Sequence, residues 1–264
     1  MANLKYMTDY HDLFDTEAFL DTFWKVPIEW NEHKSEIPFL LKEHHKFWSD
    51  FEANSYTNEC LSVLEFGGGP AMANLISAAK VAKYITFADY TESNRNAVNS
   101  WINDEPQAHD WSSMIAYVLN HLEANFNEKA VLVRTQEMRS KTQPAVPCDI
   151  TKYPIVSGLP YDAVSTSFCI EECSSSIQDY QANIVKLCEV LKPQGYLHMA
   201  GNLNESFYVV GKHTFRVLPL EENIVLEAIK NAGMVVTNYE VKELQGSLDA
   251  SNRRAVFSVS ARKK

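Results

Sequence analysis

Val63-Leu64-Glu65-Phe66-Gly67-Gly68-Gly69-Pro70 is a short apolar run that breaks into three glycines and a proline. The run has the length of a buried strand. The glycines let the backbone turn sharply and lie against a ligand with no Cβ in between. Twenty residues beyond Gly69, a second apolar run, Tyr84-Ile85-Thr86-Phe87-Ala88, ends in Asp89. An acid at the tip of the next strand can accept both hydroxyls of a ribose. Together the two features place a nucleoside at the carboxyl edge of a parallel sheet.

The pattern continues outward from this pair. Strands are predicted over Leu61–Phe66, Tyr84–Ala88, Ala145–Asp149, Tyr161–Ile170, Gly195–Leu203, Met234–Val241 and Ala255–Ala261. Helices are predicted over Ala71–Val81, Glu92–Trp101, Ser112–Asn125, Ala130–Gln136, Ile177–Leu191 and Glu221–Ala232. Such alternation implies an α/β fold, a mostly parallel sheet covered by helices on both faces. No helix separates the last two strands, so they read as a hairpin that makes one strand antiparallel. Residues 1–50 read as helices without strands, Glu17–Trp24 and Ile37–Phe51, set apart by Pro27 and Pro38.

Composition narrows the function classes. The chain has 264 residues and a net charge of -10, which suits one large α/β domain and argues against electrostatic binding of nucleic acid. The five cysteines (Cys60, Cys148, Cys169, Cys173, Cys188) lack framework spacing and suggest reduced thiols in the cytoplasm. No Cys-x-x-Cys pair or His-rich cluster announces a metal. Cys169 and Cys173 are read as packed thiols, and His44-His45 as a surface pair. The first residues are polar and acidic, unlike a signal peptide, and no apolar run is long enough to span a membrane.

Which nucleoside the site takes follows from details. In a Gly-x-Gly-x-x-Gly dinucleotide turn the third glycine falls where this chain has Met72. Glu65 would repel a pyrophosphate and instead suits a ligand with a cationic amino-acid end. Cys148-Asp149-Ile150 closes the third strand with another acid, placed to bond an adenine amino group while Ile150 covers the ring. Acids after three successive strands describe S-adenosylmethionine rather than NAD.

Further segments carry a family resemblance. Trp101, Glu105-Pro106, Asp110-Trp111-Ser112 and Tyr117-Val118 form an unusual insert. Leu191-Lys192-Pro193-Gln194-Gly195, Val210-Gly211, Leu218-Pro219-Leu220 and Ala261-Arg262-Lys263 follow it. With these the chain resembles, over nearly its whole length, the small-molecule amine N-methyltransferases that act on phenylethanolamine, nicotinamide and indolethylamine. The resemblance implies a class I methyltransferase, Rossmann-like, with a seven-stranded sheet and S-adenosyl-L-methionine as cofactor. It implies a single domain, 1–264, in which 1–58 form a helical lid and 59–264 the cofactor-binding sheet, working as a monomer. It assigns Tyr10, Gly67, Gly69, Asp89, Tyr90, Asn94, Asp149, Ile150 and Ser167 to the cofactor.

On the substrate side the resemblance points to phenylethanolamine enzymes. Phe168 and Tyr208 match ring contacts, Glu171 and Glu205 match acids that face the amine, and Glu172 is read as a solvated loop charge. Nicotinamide enzymes carry an aspartate at the position of Gly201 and a serine at that of Glu205. Glu171 and Glu205 can hold an ammonium by charge-assisted hydrogen bonds and accept its proton. Phe19 and Trp24 stand where the family has tyrosines, keeping an aromatic lid without the hydroxyls, with Trp24 on the substrate. Ala73 also replaces a tyrosine. The family's acid near the last hairpin aligns with Ser251, or with Asp249 after a shift. The expected activity is methyl transfer to a small aromatic or arylalkyl amine. Methylation of nicotinamide or another pyridine stays open as an alternative, as does a cofactor-binding interaction protein without activity.

Overall fold

The computed structural model describes residues 4–25, 35–54, 61–158, 160–244 and 250–264. Pro27, Cys60 and Asp249 lie outside the described residues. Seven strands form one sheet in the order β3-β2-β1-β4-β5-β9-β8. They are β1 (Ser62–Phe66), β2 (Tyr84–Asp89), β3 (Val146–Pro147), β4 (Tyr161–Ser167), β5 (Leu191–Leu203), β8 (Met234–Glu243) and β9 (Ala255–Lys263). β1 to β5 pair in parallel, and β9 runs antiparallel to both β5 and β8, as the closing hairpin requires.

Side-chain alternation explains the two-sided core. Val63 and Ala163 face one layer, built on α3 (Ile37–Asn54), α4 (Leu75–Val81) and α5 (Glu92–Ile102). Leu64 and Val164 face the other layer, built on α9 (Ile177–Glu189) and α10 (Glu222–Asn231). Among the described residues no helix is long and apolar enough to cross a membrane.

The strand order reverses between β1 and β4. At such a switch point the loops from neighbouring strands diverge and leave a crevice beyond the carboxyl ends. Gly67 and Gly69 make the turn there with φ of +64° and +60°. Proline and the left-handed glycines delay the next helix. Ala71–Asn74 form turns and α4 starts at Leu75 rather than at the expected Ala71.

Three departures from the sequence expectations shape the site. First, β4 ends at Ser167, not Ile170. Phe168 reverses the chain with φ +52°, and Ile170–Cys173 form the short helix α8. Second, an unexpected hairpin, β6 (Phe207–Val210) and β7 (His213–Arg216), stands beside the sheet. These strands are four residues each, too short for periodicity to announce. Lys5 extends the hairpin through bonds to Thr214 and Arg216, so the chain start is not wholly helical. The hairpin and the N-terminal segment bury Tyr10, Tyr208, Val210, Phe215 and Val217 together. Third, His44 is buried rather than on the surface, because α3 lies flat on the sheet.

The glycine turn gives a graded test. A Cβ on Gly67 would fall 2.1 Å from Cys169 Sγ, whereas one on Gly69 would meet nothing within 4 Å. Gly67→Ala is expected to lower stability by about 2–3 kcal/mol and Gly69→Ala by about 1 kcal/mol, the backbone cost alone. Urea unfolding of the two variants checks the order; equal losses would contradict it.

Candidate active site

Asp89, at the tip of β2, organises the crevice. Its Oδ2 accepts from the Gly69 N–H at 2.8 Å, and its Oδ1 from the Thr91 N–H at 2.8 Å and Asn94 Nδ2 at 3.2 Å. Burial pushes the carboxyl up, against the pull of these donors and of Arg95. Oδ2 accepts only one of these bonds and keeps a further lone-pair direction, so the acid can still accept a ligand hydroxyl. Asn94 Oδ1 in turn accepts from Thr16 Oγ1 at 2.8 Å, which ties the lid to the sheet.

The crevice above these groups holds about 780 Å³ of space, part of it open to solvent. Tyr10, Gly67, Gly69, Asp89, Tyr90 and Asn94 line it, as do Ile150, Ser167, Trp24, Phe168 and Tyr208. So most residues expected at the cofactor come together on one surface. The Ser167 hydroxyl is oriented from below. The His44 Nδ1–H donates to the Leu40 carbonyl at 2.8 Å, so Nε2 accepts from Ser167 Oγ–H at 3.3 Å. Burial holds His44 down to about 4 and therefore neutral. The Ser167 lone pairs are left for a donor in the crevice.

Two expected residues do not reach it. The Asp149 carboxylate turns away to accept from the Thr151 N–H and Oγ1, with Lys152 at 3.2 Å. Although burial pushes it upward, these partners bring it below its ordinary value. Its neighbours Cys148 and Ile150 form the wall instead. Glu65 is likewise not on the wall. It is fully buried, accepts from Asn74 Nδ2 at 2.8 Å, and acts on the crevice only through Asn74. Burial pushes Glu65 up to about 7.

A second cavity of about 470 Å³ adjoins the first. Phe19, Trp24, Phe168, Glu172 and Tyr208 line both, and so mark the junction. Glu205, Asn202 and Arg253 line only the second, with Phe23 and Glu36. This corrects the expectation for the paired glutamates. Glu171 is 1% exposed, accepts from the Asn202 N–H at 2.9 Å and lines neither cavity, whereas Glu172 lines both. The turn at Phe168 starts a helix, and neighbouring helical residues point about 100° apart. The expectation of Glu171 rested on the match to phenylethanolamine enzymes, whereas here its neighbour Glu172 is the one on the cavity walls. No periodic signal precedes a four-residue helix, so the sequence offered little to find it by.

Glu172 sits in a closed triangle. The Tyr10 and Tyr208 hydroxyls each lie 3.1 Å from its Oε2 and 2.7 Å from one another. Three contacts need three protons, and two hydroxyls supply two. A proton on Glu172 completes the set, in agreement with its carboxyl being driven well up by burial and by Glu171 and Glu205 nearby. Glu205 accepts from Ser251 Oγ and Asn202 Nδ2. Burial pushes it up to about 7, against the pull of Ser251, Arg253 and Asn202. Ser251, in the ungapped position of the family's missing acid, thus meets the glutamate directly. Cys169 and Cys173 line the nucleoside crevice with sulfurs 3.8 Å apart.

The sequence comparisons and the fold comparison agree with this geometry. A model of the NNMT/PNMT/TEMT family matches residues 3–264. Nicotinamide N-methyltransferase of Homo sapiens is 27% identical over 257 residues, 96% of this chain and 94% of the relative. Phenylethanolamine N-methyltransferase of Mus musculus is 31% identical over 190 residues, 69% of this chain and 61% of the relative. The solved structure of magnesium protoporphyrin IX methyltransferase from Synechocystis PCC 6803, with bound SAH, has a TM-score of 0.55 at 10% identity. It covers 97% of both chains. That likeness shows the Rossmann-like methyltransferase fold.

The buried acids have a measurable signature. Glu65, Glu171 and Glu205 each rise from 4.5 to about 7 on folding. The native state therefore keeps protons that the unfolded chain releases. Their stabilising contribution is complete below about 4.5 and is lost as pH rises through about 7. Glu171→Gln keeps an acceptor for the Asn202 N–H but does not titrate. Between pH 5 and 7 the wild type is expected to lose stability more steeply than this variant, by about 1.4 kcal/mol per pH unit. Urea unfolding at a series of pH values checks this; parallel profiles would disprove it.

Proposed function

The chain belongs to the NNMT/PNMT/TEMT family, and from that premise we propose that it methylates the nitrogen of a small aromatic or arylalkyl amine, using S-adenosylmethionine. The observation that carries this reading is the shared wall of the two cavities. A nucleoside crevice and an aromatic box meet at Phe168, Tyr208, Trp24 and a single carboxyl, Glu172.

The residues present fit the donor. The left-handed turn at Gly67 and Gly69 brings backbone close, and the space before Gly69 is free of protein atoms. Asp89 offers a free acceptor direction for a ribose hydroxyl, Ile150 and Tyr90 offer apolar faces, and Ser167 and Tyr10 offer hydroxyls toward the methionine end. S-adenosylmethionine, when bound, supplies an electrophilic methyl group on a sulfonium.

Everything else falls to the protein. Phe19, Phe23, Trp24 and Phe168 exclude water and hold the ring, which fixes the nitrogen for an in-line approach. An alkylamine arrives as ammonium. Burial favours the protonated form of resting Glu172, so that proton leaves to solvent as the ammonium enters. In the water-poor cavity a neutral carboxyl and a neutral amine are then favoured over the ion pair, so the carboxylate takes a proton from the ammonium and exposes the nitrogen lone pair. Tyr10 and Tyr208 hold the carboxyl toward the junction. The N-terminal segment completes both cavity walls, so in this reading residues 1–264 work as one domain.

Gly201 supports an amine over a pyridine. A Cβ there would fall 2.5 Å from Glu171 Oε1 and 2.7 Å from the Phe257 ring. The aspartate that nicotinamide enzymes carry at this position has no room here.

Two measurements test the reading. Asp89→Asn is expected to weaken binding of S-adenosylmethionine at least about tenfold in titration calorimetry, since hydrogen bonds to a charged group are worth about 1.5–3 kcal/mol. Glu172→Gln is expected to lower turnover of an arylalkylamine by about 10²-fold or more. Nicotinamide has no proton to shed and should lose far less. Product mass with a labelled methyl donor, over primary, secondary and pyridine nitrogens, reads both. Equal losses would remove the role given to Glu172, and methylation of pyridines alone would favour the nicotinamide reading.

A further inference from the structure

Three cysteines, Cys148, Cys169 and Cys173, stand on the wall of the nucleoside crevice. Two of them form a close pair. Cys169 precedes α8 and Cys173 ends it, and their sulfurs are 3.8 Å apart. A single helical turn joins them, with the Cys173 N–H donating to the Cys169 carbonyl at 3.0 Å. Packing makes them unequal. Cys169 is buried against the glycine turn, where a Cβ on Gly67 would fall 2.1 Å from its sulfur, whereas Cys173 is half-buried. The neighbouring Cys173 and burial hold the Cys169 thiol well up, so Cys169 keeps its proton. Among the described residues no group of three or more His, Cys, Asp or Glu could hold a metal ion. A reachable thiol beside a resolving thiol, with no metal to occupy them, is the arrangement of a redox sensor.

We propose that Cys173 and Cys169 are a modification site, oxidised by hydrogen peroxide to an intramolecular disulfide that weakens donor binding. The site goes beyond the activity reading and takes from it only the place of the donor.

The chemistry uses no other reactant. The Cys173 thiolate attacks one peroxide oxygen, the O–O bond breaks, and the departing hydroxide takes up a proton as water. Cys173 is then a sulfenic acid. Cys169 gives up its proton and attacks that sulfur; the S–S bond forms, the S–O bond breaks and a second water leaves. The two thiols lose two electrons and the peroxide gains them.

The bond has a structural cost at the crevice. A disulfide needs its sulfurs about 2.05 Å apart, so the pair must close by about 1.8 Å. The Gly67 backbone holds Cys169 in place, so Cys173 and the end of α8 are what move. Glu172 adjoins Cys173 and is bonded to Tyr10, and Tyr10 lines the same crevice. Closing the pair therefore displaces part of the surface on which the donor would lie. A donor seated there in turn covers both sulfurs, and linkage makes the two effects reciprocal.

The test reads the bond by mass and its consequence by calorimetry. After peroxide treatment and alkylation of free thiols, trypsin releases residues 153–186 as one peptide, with Cys169 and Cys173 as its only cysteines. This peptide is expected to lose about 2 Da and to regain them with dithiothreitol. Saturating S-adenosylhomocysteine should slow the loss about tenfold or more. With the peroxide removed, the oxidised protein should bind S-adenosylhomocysteine about tenfold more weakly, and dithiothreitol should restore the affinity. In Cys173→Ser and in Cys169→Ser the ratio of treated to untreated affinity should stay near one. The ratio is taken within one variant, so a direct effect of the serine cancels. No mass loss, disulfide-linked dimers instead, equal rates with and without S-adenosylhomocysteine, unchanged affinity, or the same loss of affinity in both variants overturns the proposal. Failure of the untreated wild type to bind S-adenosylhomocysteine would instead overturn the donor reading, and the proposal with it.

Discussion

One carboxylate holds the site together. Asp89 receives the Gly69 loop, the start of α5 at Thr91 and the Asn94 side chain, and through Asn94 it reaches Thr16 of the lid. Burying a carboxylate is costly, and only donors aimed at it make the burial tolerable. Here the donors come from two segments that must converge at the crevice, the Gly69 loop and the start of α5, and the lid joins through Asn94. The cost of burying Asp89 is offset only when strand, loop, helix and lid are in register. The acid that can receive a ribose is therefore also the acid that shapes the place where a ribose would lie.

The second constraint is the reversal at Phe168. A non-glycine residue with positive φ is strained, and such strain gathers at functional positions. The strain stops β4 at Ser167 and swings Phe168 onto the wall of both cavities. It also separates two adjacent glutamates. Glu171 goes under the sheet, where the lack of a Cβ on Gly201 leaves it room. Glu172 goes to the junction, where two tyrosines hold it. Identical side chains one residue apart thus have different surroundings, one enclosed in the core and one on the wall shared by the two cavities.

Polarity is graded along the two cavities. The nucleoside crevice is polar at the strand tips, the junction is aromatic with one carboxyl, and the distal wall returns to paired polar groups around Glu205 and Arg253. The aromatic rings at the junction leave little room for water beside Glu172, which strengthens the interactions of that carboxyl. The lid contributes to every one of these regions, with Tyr10 at the crevice, Phe19 and Trp24 at the junction and Phe23 beyond it.

By itself the sequence determined the layered sheet, the glycine turn, Asp89 and the family, because these depend on local periodicity and on backbone freedom that neighbouring residues impose. Strand boundaries held to within two residues except at the end of β4, which the turn at Phe168 cuts at Ser167, and at the start of β5, which begins at Leu191 rather than Gly195. What only the tertiary structure decided are the short elements, the hairpin at Phe207–Arg216 and the helix at Ile170–Cys173, which have too few residues to show a period. The direction of individual side chains also waited for packing. Asp149 turned to Thr151, His44 went under Ser167, and Glu172 rather than Glu171 met the cavities. His44 and Ser167 are distant in the chain, the two glutamates are separated by a turn of about 100° between neighbours, and Asp149 could turn either to the crevice or to its own loop; residue type and spacing decide none of these.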